Sequence, residues 1–190
     1  MISTLAVRIT EALCAASAIE ESDKELYQYG FFLLLSHVLF FLLTAFLGLL
    51  FRVPAESIMF YTMFSLLRSY AGGIHAKTET LCILLTSLSM FISVASIFVM
   101  KLVHALIVPV GMLVVGVLCI LILSPLDTRE KPLSKAERKR YRCASWLLAF
   151  GFAVLSLVGV AVCYPTVLYA VAVAIFMEGC LLALGGMIHD

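Results

Sequence analysis

Charged residues are scarce in this sequence. Only 13% of its 190 residues are Asp, Glu, Lys or Arg, whereas 63% are hydrophobic. A soluble domain of this size does not need so much apolar surface, so the composition excludes an ordinary soluble protein. It predicts an all-α integral membrane protein. The net charge of +1 gives no indication of a nucleic-acid partner.

Several common site motifs are also missing. The six cysteines have neither CxxC nor zinc-ligand spacing, so no metal site and no disulfide framework are predicted. No phosphate-binding loop is present, and we predict no cofactor. The N-terminus lacks the charged region and compact apolar core of a cleavable signal. The cysteines at 119, 163 and 180 fall within apolar spans, where a small buried hydrophobe is the ordinary interpretation.

Long apolar runs predict the membrane spans, since about 20 such residues cross a bilayer. We predict about six spans, namely 30–50, 54–67, 80–100, 102–123, 144–163 and 166–188. The second is short, about 21 Å at 1.5 Å per residue, so it either crosses with help from its flanks or is re-entrant. Only Lys101 separates the third and fourth spans, which predicts a tight hairpin there. We favour six full crossings.

The N-terminal segment, residues 1–29, is predicted to be separate from the membrane domain, residues 30–190. Residues 3–19 place Leu5, Ile9 and Leu13 on one helical face, which is typical of an interfacial amphipathic helix. Segment 1–29 has two basic and five acidic residues.

A basic segment, residues 124–143, has seven basic and three acidic residues. Short loops rich in Lys and Arg stay cytoplasmic, so this segment sets the predicted orientation. Counting spans back from it places residues 68–79 on the cytoplasmic side. The segment could also hold anionic lipid headgroups, or attract an acidic peptide. Orientation is the first interpretation and peptide attraction the second.

A polar island lies between two apolar stretches, at residues 68–82, R-S-Y-A-G-G-I-H-A-K-T-E-T-L-C. In one unbroken helix His75 and Cys82 would stand about 10 Å apart, too far for proton transfer. Gly72-Gly73 is a strong helix breaker, and Thr78 or Thr80 is a good N-cap. His75 would then fold back over the first turn of the helix that carries Cys82. A thiol there has a base and a helix N-terminus beside it. A buried cysteine next to a loop histidine is the alternative.

The island pattern R-x-x-x-G-G-x-H-A-x-T-x-x-x-C resembles the accessory gene regulator B (AgrB) family. A later stretch is also similar to that family, from Ser124-Pro125-Leu126-Asp127-Thr128 to Lys131-Pro132-Leu133, with Leu133 as a mild departure. The resemblance covers nearly the whole chain. It implies a multi-pass cysteine endopeptidase of the bacterial cell membrane. Such an enzyme cleaves an AgrD-like precursor peptide and cyclises it to a thiolactone or lactone for quorum sensing.

The resemblance also implies roles for individual residues. Cys82 would be the nucleophile and His75 its general base, both at the cytoplasmic face. Arg68 would hold a substrate carboxylate or dock the loop at the headgroups, and a simple positive-inside anchor is the alternative. The remaining matched positions would bind substrate or support the site: Gly72, Gly73, Thr78, Asp127 and Lys131. The two glycines would permit close backbone approach or a positive φ. Family members are thought to act as dimers.

Glu178 lies near the middle of the last span, where a charged side chain costs about 2.5–3.5 kcal/mol. It is therefore protonated, paired or facing a polar cavity, and His37 is a conceivable partner. An interhelical bond and a role in a substrate cavity both remain open, so Glu178 counts among the candidate site residues. A small transporter or channel that uses Glu178 and His37 is the alternative function. A non-catalytic membrane scaffold is the third.

Overall fold

The fold is described from a computed structural model, which covers residues 2–73, 78–104, 106–126, 134–162 and 164–189. Over these residues the chain forms seven α-helices and a short 3-10 turn, Glu21–Asp23. The helices are α1 Ile2–Ala15, α2 Lys24–Leu50, α3 Pro54–Ala71, α4 Glu79–Val103, α5 Ile107–Leu123, α6 Lys135–Ala161 and α7 Thr166–His189. The predicted all-α class is confirmed.

The chain divides into two compact units, residues 1–43 and 44–190, with the boundary inside α2. In the first unit, α1 is amphipathic as predicted and ends at Ala15, earlier than expected. Its buried side is formed by Ile2, Ala6 and Thr10, while Leu5 is about half exposed. The exposed leucine agrees with a helix whose apolar side faces lipid. The predicted boundary at residue 29 stays a prediction.

Four of the described helices are long and apolar enough to cross a membrane, and they correspond to α2, α4, α6 and α7. Helix α5 is apolar but has only 17 residues. Helix α3 has 18 residues, about 27 Å at 1.5 Å per residue, close to a hydrocarbon core of about 30 Å. Both shorter helices belong to the second unit. Each predicted span therefore corresponds to a helix, and six complete crossings stay a prediction.

Helix α3 runs the full distance between the two ends of the second unit. At its start, Glu56 accepts a hydrogen bond from Lys101 Nζ in the last turn of α4. At its end, the Ala71 carbonyl accepts a hydrogen bond from the Leu126 amide just beyond α5, at 3.0 Å. A re-entrant helix would turn back before reaching the far end. The path of α3 therefore agrees with a complete crossing.

The break between α4 and α5 lies later than the sequence predicts. Lys101 does not separate two helices, because α4 continues to Val103 and its C-cap is His104 in the left-handed conformation, at φ 51°. Lysine is a good helix former, and its charge is neutralised here by Glu56. The prediction of a break at Lys101 was therefore wrong by a few residues.

Helix α6 begins nine residues earlier than predicted, at Lys135 rather than 144. Ser134 and Glu137 form a capping box, in which each side chain accepts a hydrogen bond from the other residue's backbone N–H. This S-x-x-E pattern is a helix-start signal that is readable from the sequence. The second half of the predicted basic segment is thus helical.

Helix α7 is the centre of the second unit and packs against α3, α4, α5 and α6. Residues 168–175 are all buried, as expected for a helix surrounded by others. At Gly116 of α5, a Cβ would lie 2.8 Å from the backbone of Ile175 and Phe176. A Cβ at Gly179 would meet Gly116 and Cys119. Small residues thus let α5 and α7 approach closely.

Candidate active site at one end of the helical bundle

The two polar segments singled out in the sequence meet at the end of α3. The Leu126 amide donates to the Ala71 carbonyl, so the residue before Asp127 is bonded to the residue before Gly72. Gly72 has φ 83° and ψ −161°, a conformation that is almost restricted to glycine. A Cβ at Gly72 would lie 2.7 Å from the Leu126 carbonyl oxygen. Positive φ and close backbone approach, both expected of these glycines, thus occur together here.

The start of α6 also contacts the end of α3 and the end of α5. Arg142 Nε donates to the Ser124 carbonyl at 3.0 Å, which satisfies a carbonyl at the C-terminus of α5. The buried hydroxyls of Ser124 and Ser145 lie 2.6 Å apart. The Tyr70 and Tyr141 rings pack at a centroid distance of 6.0 Å. The ends of α3 and α5 and the start of α6 are therefore joined by these contacts, and we call this region the corner.

Arg68 and Glu178 form an ion pair within this end of the bundle. Arg68 lies in the last turn of α3, and its Nη1 is 3.9 Å from Glu178 Oε2 on α7. The Glu178 side chain is fully buried, whereas 30% of the Arg68 side chain is exposed. The guanidinium also lies 5.9 Å from the centre of the Phe64 ring, within cation–π range. A Cβ at Gly73 would be 2.5 Å from Arg68 Nη1.

Both members of this pair are predicted site residues, but no contact between them was predicted. It offered His37 as a partner for Glu178, and the structure gives Arg68 instead. His37 belongs to the other unit of the chain. Hydropathy and spacing carry no information about which helices become neighbours, so this contact has no signal in the sequence.

Cys82 lies in the first turn of α4, behind its N-cap. Of the two predicted N-cap candidates, Thr78 and Thr80, it is Thr78 that caps the helix, and its Oγ1 accepts a hydrogen bond from the Leu81 amide at 3.3 Å. The Cys82 amide donates to the Thr78 carbonyl at 3.0 Å. The thiol is partly exposed and is not in a disulfide. Glu79 sits at the positive end of the helix, where a carboxylate is favoured.

Three predicted site residues lie outside the described part of the chain, namely His75, Asp127 and Lys131. Their neighbours are described: Gly73 precedes the first segment, and Leu126 precedes the second. Within the described residues, no group of three or more His, Cys, Asp or Glu side chains could hold a metal ion.

Comparison with known proteins places this architecture in a family. The family model described as accessory gene regulator B matches residues 6–182. The chain belongs to the accessory gene regulator B family. It is 31% identical over 147 residues to the "Putative AgrB-like protein" of Clostridium perfringens (strain SM101 / Type A). It is 30% identical over 147 residues to "Putative AgrB-like protein 2" of strain 13 / Type A. Each match covers 75% of this chain and 68% of the relative. No solved structure matches.

The region that matches the AgrB family model includes the corner described above. The matched region begins in α1 and ends in α7, so it includes every segment that forms the corner. The resemblance seen in the island and in the segment after α5 is thereby confirmed at the level of the family. The chain is a membrane protein associated with accessory gene regulator systems.

Proposed function

We propose that this protein is a membrane cysteine endopeptidase and peptide cyclase. Its substrate is an AgrD-like precursor peptide, its nucleophile is Cys82, and its general base is His75. The observation that carries the proposal is the placement of a partly exposed, free thiol one turn into α4. Reactive cysteines are commonly found at helix N-termini, where the helix dipole favours the thiolate.

Covalent geometry supports the pairing of Cys82 with His75. His75 follows Gly73 by two residues, which keeps their Cα atoms within about 7 Å of each other. It precedes the cap residue Thr78 by three, a limit of about 11 Å. Chain connectivity therefore limits how far His75 can lie from Gly73 and from Thr78. A base must come within about 3 Å of the thiol, or act through one water.

The reaction proceeds in two acyl transfers. The Cys82 thiolate attacks a peptide carbonyl, the C–N bond breaks, and His75 supplies the proton that the leaving amine needs. The C-terminal part of the precursor departs and a thioester remains on Cys82. A cysteine or serine of the bound peptide then attacks the thioester, which closes a ring and regenerates the Cys82 thiol. Thiol-to-thioester exchange is roughly isoergic, so this step requires no nucleotide.

The position of Cys82 at a membrane boundary suits an intermediate that water would destroy. Leu81, Leu84 and Leu85 on α4 are apolar and exposed in the isolated chain, as lipid-facing residues are. Excluding water protects a thioester from hydrolysis before the ring closes. Helix α6 begins with several basic residues, and its Arg142 contacts the end of α5. On this proposal, these basic residues attract an acidic peptide.

The test uses the purified protein in lipid nanodiscs. Its substrate is the synthetic product of a short reading frame beside the gene, with an amphipathic leader, a central cysteine or serine and an acidic tail. Mass spectrometry follows release of the tail and acylation of the protein. We expect wild-type protein to release the tail and carry the acyl group on Cys82. Replacing His75 by Gln should slow acylation by roughly 10²–10⁴-fold.

Cys143 provides the matched control, because it is a free and exposed thiol elsewhere in the chain. Cys143→Ala should process the precursor at the wild-type rate, whereas Cys82→Ala should form neither tail nor ring. Complete processing by Cys82→Ala protein would exclude a nucleophilic role for this residue. The transporter alternative predicts no covalent adduct in any variant.

A further inference from the structure

We propose that Arg68 and Glu178 act together as a positioning pair, which fixes the Gly72–Gly73 turn, two residues before His75 in the sequence. The inference rests on the proposed peptidase function. It assigns Glu178 to the active site, although its side chain is buried among helices and cannot touch a peptide.

Glu178 is an unusual residue for the middle of a helical bundle. Its carboxylate is fully buried, and within the described residues neither oxygen has a hydrogen-bond partner. Its charge partner is Arg68, 3.9 Å away. Buried ion pairs often contribute little to stability compared with apolar residues of similar size. The pair is therefore better explained by what it holds in place than by a gain in stability.

The guanidinium of Arg68 contacts the turn directly. A Cβ at Gly73 would lie 2.5 Å from Nη1 and 2.9 Å from Cζ, so the Gly73 backbone lies against the guanidinium. The Phe64 ring, one turn earlier on α3, also lies beside it. Glu178, Phe64 and Gly73 thus surround one guanidinium. A lysine ammonium has the same charge but lacks the planar group against which the Gly73 backbone packs.

On the proposed function, displacing this guanidinium would also displace the Gly72–Gly73 turn, which adjoins the proposed general base in the sequence. Gly73 precedes His75 by only two residues. An error of about 1 Å in a reacting group can cost on the order of 10²-fold in rate. Arg68 is partly exposed and could in principle contact substrate, whereas Glu178 is not exposed at all. Glu178 is therefore the residue whose substitution separates positioning from substrate binding.

The experiment measures single-turnover acylation of Cys82 in nanodiscs as a function of precursor concentration. Glu178→Gln keeps the shape of the side chain and replaces its ionisable carboxyl group by a neutral amide. Positioning predicts a maximal acylation rate that is lower by roughly 10²-fold, with unchanged half-saturation by the precursor. The matched control is Glu56→Gln, which breaks the other interhelical ion pair at the opposite end of α3. Its acylation rate should equal that of wild type.

A double variant separates positioning from folding. Arg68→Met with Glu178→Leu removes both charges, and apolar replacement of a buried pair is often tolerated. Positioning predicts that this protein unfolds near the wild-type temperature and yet acylates as slowly as Glu178→Gln. In a variant with Cys82 as its only cysteine, the pH profile of iodoacetamide alkylation should also change on Glu178→Gln substitution. A purely structural pair would leave that profile unmoved.

Three results would overturn the inference. They are a double variant that acylates at the wild-type rate, a Glu178→Gln protein that loses only affinity for precursor, and a Glu178→Gln protein identical to wild type. The proposed function fails separately, if wild-type protein forms no adduct or if Cys82→Ala protein still releases the tail.

Discussion

Replacing Gly72 by Ala should damage the corner at the end of α3. The residue has φ 83° and ψ −161°, and holding a non-glycine residue there costs about 1–3 kcal/mol. The new Cβ would also lie 2.7 Å from the Leu126 carbonyl oxygen, which is backbone and cannot rotate away. Relief requires Leu126 to move, which breaks its hydrogen bond to Ala71, worth about 0.5–1.5 kcal/mol. The total is on the order of 2–4 kcal/mol.

A loss of that size is measurable by thermal unfolding in detergent, followed by fluorescence of the single tryptophan, Trp146. For a chain of this length we expect the midpoint to fall by roughly 5–15 °C. Gly111→Ala is the matched control, because a Cβ there has nothing within 4 Å and the residue lies within α5. That variant should melt at or slightly above the wild-type temperature. If Gly72→Ala and Gly111→Ala melt together, the strain argument is refuted.

Three further predictions concern the packing and charge around this corner. Gly116→Ala should destabilise the protein by roughly 1–3 kcal/mol, because its Cβ meets the α7 backbone at 2.8 Å. The same unfolding assay checks this, and a wild-type midpoint would contradict it. Arg142→Gln should cost about 1 kcal/mol by removing the donor to the Ser124 carbonyl, whereas an unchanged midpoint would show that water replaces it. Charge reversal at three exposed residues of α6, Arg138, Lys139 and Arg140, should weaken precursor binding without changing the membrane orientation of the protein. Peptide titration measures the binding, and thiol accessibility measures the orientation. A wild-type affinity for the precursor would mean that these residues serve only to set the orientation.

The membrane class and most helix positions were predictable because their signals are local. A run of about 20 apolar residues indicates a span by itself. Thr78 was predicted as an N-cap because its side chain suits that position and a helix follows. For Gly72, close backbone approach or a positive φ was implied by the resemblance to the AgrB family. The start of α6 was missed although its capping box, Ser134 to Glu137, is readable.

The ion pairs could not be predicted, because they depend on which helices become neighbours. Glu56 with Lys101, and Arg68 with Glu178, join residues that are far apart in the sequence. Both pairs include α3, a helix whose crossing of the membrane was itself in doubt. With α3 interpreted as short, Arg68 appeared to lie in a loop rather than in a helical last turn facing α7. The uncertain length of one helix thus concealed both contacts.

The contact between Ala71 and Leu126 brings two separate sequence patterns together. One pattern continues beyond the end of α3 and the other beyond the end of α5. Neither helix alone determines the direction that the chain takes after its last turn. The hydrogen bond from Leu126 to Ala71 joins the chain just beyond α5 to the end of α3. Gly72 permits this bond because it has no side chain to separate the two segments. On the proposed function, the residues that leave this contact lead in one direction to His75 and in the other to Asp127 and Lys131. On the proposed function, a substitution that separates Ala71 from Leu126 should impair catalysis even though neither residue carries chemistry.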